Sequence, residues 1–127
     1  MRKILLLTLL LATSLFAQIE WMKLKDATTK AKAENKIVMV ILSKEGCPAC
    51  EFMDDRVLKD EKVLAEMGNR FIGVHLDIRN DFIPEDLTFI GAPTIHFIDA
   101  HGIKIDRIDG ALNVKNFIEA IKEIKDE

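Results

Sequence analysis

Residues Ile37 to Leu42 read IVMVIL, six apolar side chains in succession, with Ser43 closing the run. Successive side chains of a strand point to opposite sides, so a strand with one wet face alternates apolar and polar. This run does not alternate, and it needs apolar cover on both sides. It is short and rich in β-branched residues, which makes it a strand and not a helix. A strand of that kind belongs inside a sheet that has helices above and below.

The flanking segments supply those helices. In WMKLKDATTKAKAENK, Trp21, Leu24, Ala27 and Ala31 recur at helical spacing with lysines opposite, and the charge run reads as a solvated face. After the strand, CPACEFMDDRVLKDEKVLAEMG reads as a helix, bent or broken near Lys59–Asp60 and ending at Gly68. FIGVHLDI is a second buried strand, and PEDLTFIG suggests a short helix before Gly91. TIHFIDAHGIKIDRI is two strands around the turn DAHG. In GALNVKNFIEAIKEI, Asn113 caps a helix with Val114, Phe117, Ile118, Ile121 and Ile124 on one face. The expected order is helix, strand, helix, strand, helix, strand, strand, helix. A parallel βαβ unit, an antiparallel hairpin and a closing helix make an α/β fold, with a mixed sheet between helical layers.

The first residues stand apart from this pattern. Arg2 and Lys3 form a basic start, Ile4 to Ala12 an apolar run, and Thr13 to Ala17 a small-residue exit. That is the order of a secretory signal peptide, and the run is shorter than the roughly 20 apolar residues of a membrane span. Cleavage is expected near Ala17, leaving residues 18–127 as one domain with no stable membrane anchor. No Cys follows the run, which argues against a lipid anchor. Losing Arg2 and Lys3 moves the net charge from −3 to −5. An acidic chain without a basic stripe argues against nucleic acid as a partner. Export to the periplasm or beyond also places the cysteines where disulfides persist.

Both cysteines of the chain, Cys47 and Cys50, lie in SKEGCPACEFMDD. As a staple, a disulfide closing so short a loop removes little chain entropy, on the order of 2 kcal/mol. As a metal site, two thiolates are half a tetrahedral shell. His75, His96 and His101 show no paired ligand spacing, and each reads as an ordinary residue. A c-type haem is excluded because Glu51 stands where His is required. As a redox pair, the cysteines gain from position: they follow a buried strand and open a helix. Backbone N–H groups there favour a thiolate at Cys47, and Cys50, one turn inward, is placed to attack a mixed disulfide formed at Cys47. Pro48 suits the first helical position. No bound cofactor and no metal are implied by this reading. Two other classes stay open, a metal-binding or metal-delivery module using the cysteines and a His, and a non-catalytic interaction domain.

From about residue 20 onward the chain resembles the thioredoxin superfamily. The residues that carry the likeness are GCPAC after the first core strand, GAPT (Gly91–Thr94) before the hairpin, and DGALNVKNFIEAI at the closing helix. The likeness implies a thioredoxin-like three-layer sandwich and an exported protein-disulfide oxidoreductase. Its partners would be client protein dithiols or disulfides and an upstream protein redox partner. It implies catalytic roles for Cys47 and Cys50 and a cis Pro93 facing them. The backbone of Ala92 would pair with an extended client chain, beside Gly46, Pro48, Ala49 and Thr94. Within the superfamily, residues 50–78 look most like periplasmic thioredoxin-like reductases, including the C-terminal domain of the transmembrane disulfide reductant transporter. Two positions depart from the pattern. Gly46 stands where a Trp is usual, and Ile41 stands where ordinary thioredoxins bury an acid. Asp54, on the same helix face as Cys50, is a substitute proton acceptor or a solvated carboxylate. The acids Glu45, Glu51, Asp54 and Asp55, opposed only by Lys44, disfavour a thiolate and put the expected chemistry on the reducing side.

Overall fold

The computed structural model describes residues 18–125, so the expected signal peptide lies outside the described residues. Five strands form one mixed sheet: β1 (Glu20–Trp21), β2 (Ile37–Ser43), β3 (Phe71–Asp77), β4 (Thr94–Ile98) and β5 (Lys104–Asp109). Their order across the sheet is β1-β3-β2-β4-β5. β2 runs parallel to β3 and antiparallel to β4, so the unalternating strand is the central one.

Its two faces explain its composition. Ile37, Met39 and Ile41 enter a core with Met53, Val57, Phe97, Phe117 and Ile121. Val38, Val40 and Leu42 point the other way, onto Ala27 and Ala31 of helix α1 (Leu24–Glu34) and onto Ile72, Val74 and Leu87. Helix α2 (Pro48–Phe52), a π-helical segment (Met53–Val57) and helix α3 (Glu61–Met67) cover the first face with helix α4 (Val114–Glu123). The expected break after Lys59 is real. Asp60 caps α3, accepting from Lys62 N–H at 2.8 Å and Val63 N–H at 3.3 Å. Asn113 caps α4 by accepting from Asn116 N–H at 2.8 Å. The expected apolar face divides, with Phe117, Ile121 and Ile124 buried and Val114 and Ile118 packed along its edge.

Two elements differ from the pattern-based reading. Trp21 is not on α1 but in β1, a two-residue edge strand parallel to β3. Lys30 holds that edge to α1 through Glu20 at 2.6 Å. The expected helix at PEDLTFIG is absent; the stretch is a turn, with Leu87 N–H bonded to Pro84 O at 3.0 Å. Its carbonyls go to side chains from the hairpin instead of to helical N–H groups. Lys104 Nζ donates to Asp86 O at 2.6 Å, and the buried His96 Nε2–H donates to Thr88 O at 2.7 Å. Satisfied in this way, the segment gains nothing from the costly first turn of a helix.

Gly73 of β3 lies beside Trp21 in register. A Cβ placed on Gly73 would lie 2.5 Å from the Trp21 ring and 2.8 Å from Ile19 Cγ2. Gly73→Ala is therefore expected to destabilise by about 1–3 kcal/mol, the usual penalty of overpacking. That corresponds to a fall in Tm on the order of 5–15 °C for a domain of this size. A thermal scan that finds Tm unchanged or raised would show that the edge strand has room to move.

Candidate active site

β2 ends at Ser43, and the chain turns through Lys44–Gly46 into α2. Gly46 takes φ +73°, a conformation that side-chain-bearing residues rarely adopt. This is a local reason for Gly at a position where the likeness leads one to expect Trp. Cys47 is the N-cap of α2, and Pro48 is its first residue. Cys47 and Cys50 form a disulfide with their Cα atoms 5.3 Å apart, and Cys50 N–H donates to Cys47 Sγ at 3.2 Å. The two cysteines are 5% and 4% exposed, so approach to the sulfurs is narrow. Pro48 and Ala49 lie exposed at the rim.

Facing them is the segment before β4. The Ala92–Pro93 peptide bond is cis, and the Cys47 sulfur lies 3.7 Å from the Ala92 carbonyl oxygen. Pro93 is buried and Ala92 half-buried. Pro93 O accepts from Gly110 N–H at 2.8 Å, which fixes the segment to the end of β5. Thr94 is also buried, and its hydroxyl donates to Gly91 O at 2.8 Å. Its side chain therefore shapes the turn and presents no surface. Gly46, Cys47, Pro48, Ala49, Ala92 and Pro93 thus meet at one end of β2, although they come from two separate segments.

Asp54 lies in the π-helical segment, where Leu58 N–H bonds to Met53 O at 2.8 Å in place of the carbonyl four residues back. Its Oδ1 accepts from His75 Nε2–H at 2.8 Å. Reading His75 as an isolated residue missed this partner. The register of β3 on β2 sets His75 beside Ile41, on the face that carries the π-helical segment, a juxtaposition that only the fold reveals. Asp55 pairs with Lys59 at 3.6 Å, which leaves Glu45 and Glu51 as exposed acids near Cys47. Ile41 is buried among apolar neighbours. His96 is buried on Thr88 O, and His101 is exposed in the hairpin turn. Among the described residues, no three His, Cys, Asp or Glu side chains gather as a metal shell would require.

A family profile for the thioredoxin-like domain matches residues 24–125. The chain belongs to that family. Among curated relatives, the thioredoxin-like chain is 26% identical over 103 residues to the thiol:disulfide interchange protein DsbD of Tatumella citrea, covering 76% of this chain and 18% of that one. It is 27% identical over 101 residues to DsbD of Yersinia enterocolitica, covering 74% and 17%. It thus spans less than a fifth of the length of either relative. Among solved structures, a thioredoxin from Thermus thermophilus superposes with a TM-score of 0.70 at 24% identity, covering 84% of this chain and 86% of that one. The reduced C-terminal domain of Neisseria meningitidis DsbD gives 0.61 at 22%, covering 79% and 92%. These similarities establish the thioredoxin-like fold, in which the two cysteines stand in C-x-x-C spacing. Among the described residues of this thioredoxin-like chain, no helix is long and apolar enough to cross a membrane.

The turn leaving β3 is secured by Asp77, the last residue of that strand. Its carboxylate accepts from Arg79 N–H at 2.8 Å and Asn80 N–H at 3.2 Å. These bonds, Arg79 first, hold its carboxyl below the usual carboxylate range, and the backbone of Glu45 adds to them. An acid depressed in the folded state contributes stability above its unfolded pKa, and that stability is lost as pH falls through its folded pKa. Asp77→Ala should therefore lower Tm at neutral pH, with the gap from wild type closing as pH falls below about 3–4. Tm measured across that range checks this, and a gap independent of pH would contradict it.

Proposed function

We propose that this thioredoxin-like protein is exported and reduces disulfide bonds in client proteins through Cys47 and Cys50. The observation that carries the reading is the meeting of the Cys47 sulfur with the Ala92 carbonyl, 3.7 Å away beside cis Pro93. A nucleophilic sulfur at the start of a helix thereby lies next to a backbone group that can pair with an extended client. Gly46, Pro48 and Ala49 line the other side of the approach, and Thr94 keeps the Ala92–Pro93 segment in shape.

In the reduced protein the Cys47 thiolate attacks one sulfur of a client disulfide. A mixed disulfide forms, and the other client sulfur leaves as a thiolate and takes up a proton. Cys50 then gives up its proton and attacks Cys47. The bond between Cys47 and the client breaks, and the second client thiol is released. Two electrons have passed from the dithiol to the client, and Cys47–Cys50 is left as a disulfide. An upstream protein dithiol would return the electrons. Asp54, one helical turn beyond Cys50, is the proposed acceptor of the Cys50 proton.

Charge supports the reducing direction. Glu45 and Glu51 flank the site, and Pro48-Ala49 between the cysteines carries no positive group. Acidic neighbours raise the cost of a thiolate, so they favour the disulfide over the reduced form. Export rests on the basic start, the short apolar run and the small-residue exit of residues 1–17.

Cys50→Ser should accumulate mixed disulfides with client proteins, while Cys47→Ser should accumulate few. Non-reducing electrophoresis of protein recovered from the cell envelope reads this directly, and intact mass of the same material should correspond to a chain beginning at Gln18. Equal trapping by both variants would reverse or abolish the assignment of attacking and resolving sulfur, and a retained Met1 would reject export by cleavage.

A further inference from the structure

Ile41 and His75 are register partners on β2 and β3, so their side chains project to the same side of the sheet. That side carries α2 and the π-helical segment, since Ile41 packs with Met53 and Val57. Ile41 offers no atom that takes a proton. Cys50, only 4% exposed, must nevertheless lose one before it attacks Cys47. A buried thiol in that position needs a base within reach. Asp54 is four residues on from Cys50, on the next turn of the same helical stretch, where α2 passes into the π-helical segment.

A free aspartate on an exposed helix face would sample many directions, but Asp54 does not stand free. His75 Nε2–H donates to its Oδ1 at 2.8 Å, while His75 Nδ1 faces the Ser43 hydroxyl at 3.5 Å. The Trp21 ring packs against the imidazole at a tilt of 53°, with centroids 5.4 Å apart. Side chains of two strands therefore gather on the imidazole that holds the carboxylate, Trp21 from β1 and Ser43 from β2, with His75 itself on β3. Asp54 and His75 are 36% and 38% exposed and open onto a cavity of about 710 Å³ that Trp21 and Leu58 also line. The chain of contacts from Ser43 to Asp54 is thus anchored in the sheet at one end and wet at the other.

We propose that His75 is a positioning residue for disulfide exchange. It holds the Asp54 carboxylate as acceptor of the Cys50 proton and joins it to the water of the cavity. This rests on the reading of Cys50 as the resolving sulfur. In the step concerned, the Cys50 S–H proton passes to Asp54, and the Cys50 sulfur attacks Cys47. The bond from Cys47 to the client sulfur breaks, and the departing thiolate is reprotonated from water. Other charged groups face the same cavity. Lys59 is paired with Asp55, Lys23 precedes α1, and Asp81 accepts from Asp77 N–H at 2.7 Å. None of them shares a hydrogen bond with Asp54 or His75 among the described residues.

A chromogenic aryl disulfide tests this on the reduced, purified protein. Its first coloured thiolate reports attack by Cys47, and its second reports resolution by Cys50. The ratio of second-phase to first-phase rate isolates the step in question. His75→Leu should lower that ratio about tenfold and Asp54→Asn about a hundredfold, the low end of what a positioned base contributes. His75→Gln, which restores an N–H toward Asp54, should recover part of the loss. The double variant should be no slower than Asp54→Asn alone, because the two residues act as a unit. A ratio within twofold of wild type in a folded His75→Leu, or penalties that add independently, would overturn the proposal. A wild-type protein that releases only the first thiolate would overturn the reading of Cys50 itself, and the proposal with it.

Discussion

β2 has no face left for water, and the arrangement of the molecule depends on that. Its odd residues require α2, α3 and α4 on one side, and its even residues require α1 on the other. Its neighbours β3 and β4 must therefore lie beside it, inside the same helical layers. A strand gripped on both faces by well-packed side chains cannot slip in register without exposing one set of them. The turn that leaves its last residue is held in a fixed place, and that turn delivers Gly46, Cys47 and Pro48 to the start of α2.

The second half of the site reaches that place by a different kind of bond. The stretch from Pro84 to Pro93 has no regular structure, and Leu87 is the one deeply buried apolar anchor before Pro93. Side chains of the hairpin take its carbonyls one after another, through Lys104, His96 and Thr94. Gly110 completes the series at Pro93 O. Burial thus positions the cysteines, while polar bonds to an irregular loop position the segment opposite. The two meet on β2 itself, because Leu87 packs with Val38, Val40 and Leu42, and Thr94 and His96 are register partners of Leu42 and Val40.

Much of this was legible in the chain, for identifiable reasons. The unalternating run marked the central strand because burial on two faces leaves no other pattern. Asn113 and the break at Lys59–Asp60 were legible because capping and helix interruption are local. The placing of Trp21 was not, because β1 exists only through pairing with β3, and two residues carry no period of their own. The helix expected at PEDLTFIG failed for a related reason, since its competitors were side chains from Thr94 to Lys104. At the site, the spacing of Cys47 and Cys50 and the placing of Pro93 were readable. The contact between His75 and Asp54 was not, because it joins a strand to a helix 21 residues away in sequence.

The central claim is that Cys47 and Cys50 form a reducing couple, and its reduction potential tests that claim most directly. Equilibration in glutathione buffers, read by thiol alkylation or Trp21 fluorescence, gives the value. Acidic neighbours and an uncharged Pro48-Ala49 pair predict a potential nearer about −270 mV than about −120 mV, a difference of roughly 7 kcal/mol for two electrons. A value above about −180 mV would contradict the account, because a couple that oxidising would accept electrons from most client thiols in place of donating them.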